Sequence, residues 1–144
     1  MNGPRTSLEA VYAVAQSTAH GAEPALAELG LTMATAQALW AIDPEEPPPT
    51  MKAMTQRLRC NASTLTFVSD RLARLGYITR TADPANRRYR RMALTPEGRE
   101  ARARALTALQ EASPLSRLTQ EQRDALGLLL AHALTDGLPE PTPA

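Results

Sequence analysis

One cysteine, Cys60, leaves the chain unable to form an internal disulfide. Two histidines, His20 and His132, stand far apart and are too few for a metal site, so neither a metal nor a cofactor is expected. No stretch approaches the roughly 18 apolar residues that a membrane helix needs. The opening Met1-Asn2-Gly3-Pro4-Arg5 lacks the basic and apolar regions of a secretory signal. The expectation is a cytoplasmic protein with no membrane partner. The glycines build no phosphate-binding loop, and Ser113, Ser116 and the acids of the C-terminal segment show no nucleophile–base spacing. No catalytic residue is expected, and the chain does not read as an enzyme.

What is present fits one domain: 144 residues, 43% of them hydrophobic, are enough to bury a core. The net charge of +1 hides a strong segregation. Residues 1–51 carry one arginine against six acids, a net of −5. Residues 52–91 carry Lys52 and nine arginines against Asp70 and Asp83, a net of +8. Residues 92–144 return to −2. A basic stripe of this kind is what a phosphate-binding surface requires, although a charge run is also compatible with an ordinary solvated face.

Hydrophobic spacing predicts a helix over 8–20, from Leu8, Val11, Tyr12, Ala15 and Ala19, and a short second one from Pro24 to Leu29, stopped by Gly30. Thr32 caps a third helix through Ile42. Consecutive prolines then make residues 43–49 a stiff connector. Thr50 caps a fourth helix to Leu58, and after a turn at Arg59-Cys60 Asn61 caps a fifth to Leu75, ended by Gly76. Two helices this close form a helix-turn-helix. Residues 77–81 and 88–94 read as strands joined by a loop over 82–87, a hairpin wing. Thr95 and Pro96 open the next helix, Ser113-Pro114 interrupts it, and Thr119 with Gln122 makes a capping box for the last. Residues 138–144 are expected to be a disordered tail.

On the fifth helix Leu65, Val68, Leu72 and Leu75 form a stripe for the core. The opposite arc holds Ser63, Thr66, Asp70 and Arg74, with Phe67 on its flank, a face that suits a major groove. Arg87, Arg88, Arg90 and Arg91 crowd the hairpin, where a protruding arginine suits a narrow minor groove. A helix for one groove beside a wing for the next is a rarer coincidence than either alone. Cys60, in the turn between two packed helices, reads as a small apolar filler.

At these residues the sequence resembles the MarR family of bacterial regulators. The resemblance runs from about Leu29 to Gly98. It is carried by Leu58, Ser63-Thr64-Leu65-Thr66, Asp70-Arg71-Leu72, Leu75-Gly76-Tyr77-Ile78-Thr79-Arg80, Asp83-Pro84, Arg87-Arg88 and Leu94-Thr95-Pro96-Glu97-Gly98. It implies a mainly α fold: a winged helix-turn-helix over about 30–98, with dimerisation helices from 7–29 and 99–136. It also implies a homodimeric repressor that binds pseudo-palindromic duplex DNA and is released by a small-molecule effector. The DNA contacts would be Asn61, Ser63, Thr64, Thr66, Phe67 and Arg71 on or beside the fifth helix, with Arg87 and Arg88 on the wing. Tyr12 and Trp40 would face an effector pocket, or simply pack in the core.

Three positions depart from the family pattern. Ala62 and Phe67 stand where basic residues are usual, and Asn86 stands where an acid commonly precedes the wing arginines. The missing acid predicts a loose wing tip, and the exposed aromatic leaves a second reading open: a winged helix that has become a protein-interaction module.

Overall fold

The structure is a computed structural model and describes residues 3–135. Helix α1, Ser7–Glu28, starts where the Thr6 hydroxyl accepts from the Glu9 amide at 3.1 Å. Sequence spacing predicts two helices here, and the chain forms one, with Pro24 inside it. The ring removes one backbone donor, yet α1 packs along the later helix α5 (Pro96–Ala112) and buries Ala22 and Leu26. A Cβ added at Gly21 would lie 3.1 Å from that of Ala112, so the two helices are close beside the proline. Tertiary packing holds the last turn in line where local chemistry favours a break.

Helix α2, Met33–Trp40, follows a capping box between Thr32 and Thr35. It ends two residues before the expected Ile42, and its last carbonyls are taken up by side chains of other elements. Arg102 donates to the Trp40 carbonyl at 3.1 Å and Arg57 to that of Ala41 at 2.8 Å. Helix α3, Met51–Leu58, and helix α4, Ala62–Arg74, begin at Thr50 and Asn61 as their side chains predict. The turn between them places Arg59, a non-glycine, in the left-handed region at φ 50. Helix α4 ends in a Schellman arrangement, with the Tyr77 amide on the Leu72 carbonyl at 3.0 Å. Gly76 takes the φ of +79 that this ending demands.

Strands β1, Ile78–Ala82, and β2, Arg90–Leu94, pair antiparallel with Ile78 opposite Leu94 and Ala82 opposite Arg90. The first strand is shifted by one residue from the expected 77–81, and the second is two residues shorter than the expected 88–94. Tyr77 stays outside β1, its hydroxyl donating to the Leu29 carbonyl at 2.7 Å. Arg88 and Tyr89 belong to the turn. The proline segment is more than a connector: the Met92 amide donates to the Pro49 carbonyl at 2.9 Å, and Thr50 bridges to Arg91.

Thr95 and Pro96 open α5, whose first turn presses on the hairpin so closely that a Cβ at Gly98 would fall 1.8 Å from the Tyr77 carbonyl oxygen. A 3₁₀ turn, Pro114–Arg117, leads into α6, Gln120–Leu134. Leu26, Leu39, Met54, Leu65, Leu72 and Met92 are fully buried in one core under α4. No residue of α6 is buried. The tail expected over 138–144 lies outside the described residues.

Candidate nucleic-acid interface

Helix α4 turns Leu65, Val68, Ser69 and Leu72 into the core. The opposite side exposes Ser63, Thr64, Thr66, Phe67, Arg71 and Arg74. Asn61 works first as the cap, its Oδ1 accepting from the Thr64 amide at 2.8 Å. Thr66 donates its hydroxyl to the Ala62 carbonyl at 2.9 Å, so toward solvent it offers a methyl group and lone pairs. Asp70 pairs with Arg80 of β1, which ties the middle of α4 to the hairpin.

The hairpin tip carries its own hydrogen bonds. The Asp83 amide donates to the Tyr89 carbonyl at 2.8 Å, and Asp83 Oδ1 accepts from the Ala85 amide at 3.1 Å. Asn86 supplies through Oδ1 the acceptor that an acid would supply, taking the Arg88 amide at 3.1 Å. Arg87 and Arg88 stand exposed on this turn, on an element separate from the α4 residues, and Tyr89 is exposed beside them.

Geometry divides the basic stripe in two. Arg57 is held by Glu46 and Ala41, Arg59 donates to the Leu134 carbonyl, Arg80 pairs with Asp70, and Arg91 with Asp83. Lys52, Arg71, Arg74, Arg87, Arg88 and Arg90 are exposed and have no ion-pair partner among the described residues. These cations are not committed to an ion pair within the described residues. A count of charges along the chain cannot separate the two groups: it gives Lys52 no prominence, and it sets Arg91 beside Arg90 although only Arg91 is paired.

A cavity of about 670 Å³ opens among α1, α2, α5, the 3₁₀ turn and α6. Val14 and Thr18 of α1, Leu106 and Gln110 of α5, and Arg123 of α6 line it together with Trp40. Trp40 also lines a second, smaller hollow beside Arg57 and Arg59, so the indole spans the space between the cavity and the helix-turn-helix. Tyr12 is exposed on α1 and lies outside the cavity wall. Most of these residues carry no local signal, because the wall is assembled from segments far apart in sequence. Among the described residues no group of His, Cys, Asp or Glu is placed to hold a metal, and no helix is long and apolar enough to cross a membrane.

Residues 31–98 match the winged helix DNA-binding domain family. Among solved structures, CouR from Rhodococcus jostii RHA1 bound to p-coumaroyl-CoA superposes with a TM-score of 0.80 at 19% identity, covering 94% of this chain and 96% of that one. The reduced form of MarR from E. coli gives a TM-score of 0.73 at 22% identity, over 93% of this chain and all of MarR. The repressor CouR bound to a 23-mer DNA duplex gives 0.74 at 23% identity, over 90% and 93%. No curated protein matches in sequence. The chain shares the fold of MarR and CouR. Within the matched residues α3 and α4 form the helix-turn-helix, α4 takes the position of its recognition helix, and the β1–β2 hairpin is the wing. The match assigns residues 31–98 similarity to a DNA-binding domain.

Proposed function

We propose that this MarR-type chain is a homodimeric repressor of pseudo-palindromic duplex sites, released when a small molecule fills the cavity beside Trp40. The observation that carries the DNA half of this reading is the set of six uncommitted cations on and around a polar recognition helix and a projecting wing. Asn61, Ser63, Thr64, Thr66, Phe67 and Arg71 would meet a major groove and its phosphates, and Arg87 and Arg88 an adjacent minor groove. Support for the dimer comes from the ends of the chain: Leu8 and Val11 on α1 and Leu128, Leu129 and Leu134 on α6 are exposed, with no cover from their own subunit. A C₂ pair joined there would present two recognition helices about one helical turn of DNA apart.

The effector half rests on the cavity. Its volume of about 670 Å³ suits a small organic ligand, and its wall mixes apolar side chains with Thr18, Gln110, Gln120 and Arg123. CouR, which shares the fold, was solved with p-coumaroyl-CoA, an acyl thioester. Fluorescence anisotropy with duplexes from the source genome tests the whole reading. Specific, salt-dependent binding by a dimer, relieved by a ligand that changes Trp40 fluorescence, is the expected result. A folded protein that binds no duplex above background at low salt would overturn it and favour the protein-interaction reading.

A further inference from the structure

Phe67 is the chain's single phenylalanine, and it is 75% exposed in the middle of the recognition helix. Core packing does not explain it. Nor does an apolar contact surface: its helix neighbours at three and four residues are Ser63, Thr64, Asp70 and Arg71. An aromatic anchor for a protein partner sits in a patch that excludes water, with further apolar side chains around it. Here the ring stands alone among polar and cationic groups, sharing its side of α4 with Arg71 and Arg74.

The rest of the exposed first half of α4 is equally short of hydrogen-bonding cations. Residues 61–69 contain no Lys or Arg, so nothing there can make the bidentate contact to guanine that specifies most major-groove sites. Ala62 offers only a methyl group, and Thr66 turns its hydroxyl hydrogen back to the Ala62 carbonyl. Ser63 and Thr64 keep exposed hydroxyls, but the largest group that α4 presents to a groove floor is the Phe67 ring, flanked by cations suited to the phosphate rims. The one base-edge feature in the major groove that matches carbon is the C5 methyl of thymine.

We infer that Phe67 makes this recognition helix a reader of thymine methyl groups, selecting half-sites by apolar contact. The inference rests on α4 lying in a major groove, as proposed above. The test starts from a duplex enriched from a random library by the full-length protein. The same sequence is then made with deoxyuridine for thymidine, which removes the methyls and leaves every base pair intact. The wild type should lose affinity by roughly fourfold for each contacted methyl, the equivalent of one buried carbon. Phe67→Ala should bind the two duplexes alike, and Phe67→Leu should restore the discrimination. Because the ring is exposed, both variants should keep the wild-type circular dichroism. Equal binding of the two duplexes by the wild type overturns the inference while leaving DNA binding intact. Equal discrimination by wild type and Phe67→Ala also overturns it, by assigning the methyl contact to another side chain. Failure of the wild type to enrich any duplex would instead remove the DNA-binding reading beneath it.

Discussion

Arg91 donates from Nε to Asp83 Oδ1 at 3.1 Å and from Nη1 to the Pro48 carbonyl at 2.6 Å. One guanidinium thereby joins the base of the wing turn to the proline segment before α3. Asp83 is buried, so removing its partner would leave a carboxylate without its charged hydrogen bond. Arg91→Ala should destabilise the fold by about 2 kcal/mol, read by urea denaturation. DNA affinity should fall with it, while the salt dependence of binding stays unchanged, because this charge is neutralised inside the protein. A reduced salt slope would place Arg91 on a phosphate and reverse this assignment.

Arg88 is the contrasting case, exposed and without an ion-pair partner. Arg88→Ala should weaken binding to all duplexes and lower the salt slope by about one unit. The loss should be largest on A·T-rich sites, where a narrow minor groove concentrates negative potential. Asn86→Asp keeps the acceptor that holds the Arg88 amide and adds a charge, so it should weaken binding through repulsion alone. Anisotropy at two salt concentrations checks both variants; a gain for Asn86→Asp would mean that the tip is not already ordered.

These paired cations mark where the sequence was legible and where it was not. Caps are local, so Thr32, Thr50, Asn61, Thr95 and Thr119 announce their helices from a few residues of context. The core stripe of α4 obeys the same helical period, apart from Leu75, which is only half-buried. Pro24 fails as a local signal, because the force that carries α1 through it comes from α5, some eighty residues later. Which arginines are spent internally is just as non-local: Arg59 reaches a carbonyl at Leu134 and Arg102 one at Trp40. The cavity was visible only through Trp40 for the same reason.

The continuity of α1 is itself testable. Proline in a helix interior is about 3 kcal/mol less favourable than alanine, and Pro24 is exposed, so its ring contributes little packing in return. Pro24→Ala should stabilise the protein by about 1–2 kcal/mol, less than the full difference because packing on α5 already holds the helix. A lower denaturation midpoint would show that the ring serves a contact of its own.

Gly98 should tolerate nothing larger than hydrogen. Its missing Cβ is the space occupied by the Tyr77 carbonyl oxygen, which also accepts from the Thr95 amide at 3.0 Å. Gly98→Ala must push α5 off the hairpin, at a cost on the order of 3 kcal/mol. Thermal denaturation reads the loss, and a shift of under a degree would contradict the close approach.

On α6, Leu129 is 70% exposed. In the proposed homodimer, Leu129→Asp would remove two leucines from a symmetric interface at about 2 kcal/mol each, which weakens dimerisation roughly a thousandfold. Light scattering should then find folded monomers at micromolar concentration. An unchanged mass would move the dimer contact off this face.

The prolines before α3 also govern what the wing sheet is unable to do. Pro48 and Pro49 lend carbonyls to Arg91 and Met92 of β2, and they and Pro47 own no amide hydrogen, so this stretch of rim offers no donors for another strand to pair with. An unprotected strand margin is a template on which a second hairpin can pair. Three consecutive imino acids close this margin chemically, so the residues that stiffen the link also limit edge-to-edge association.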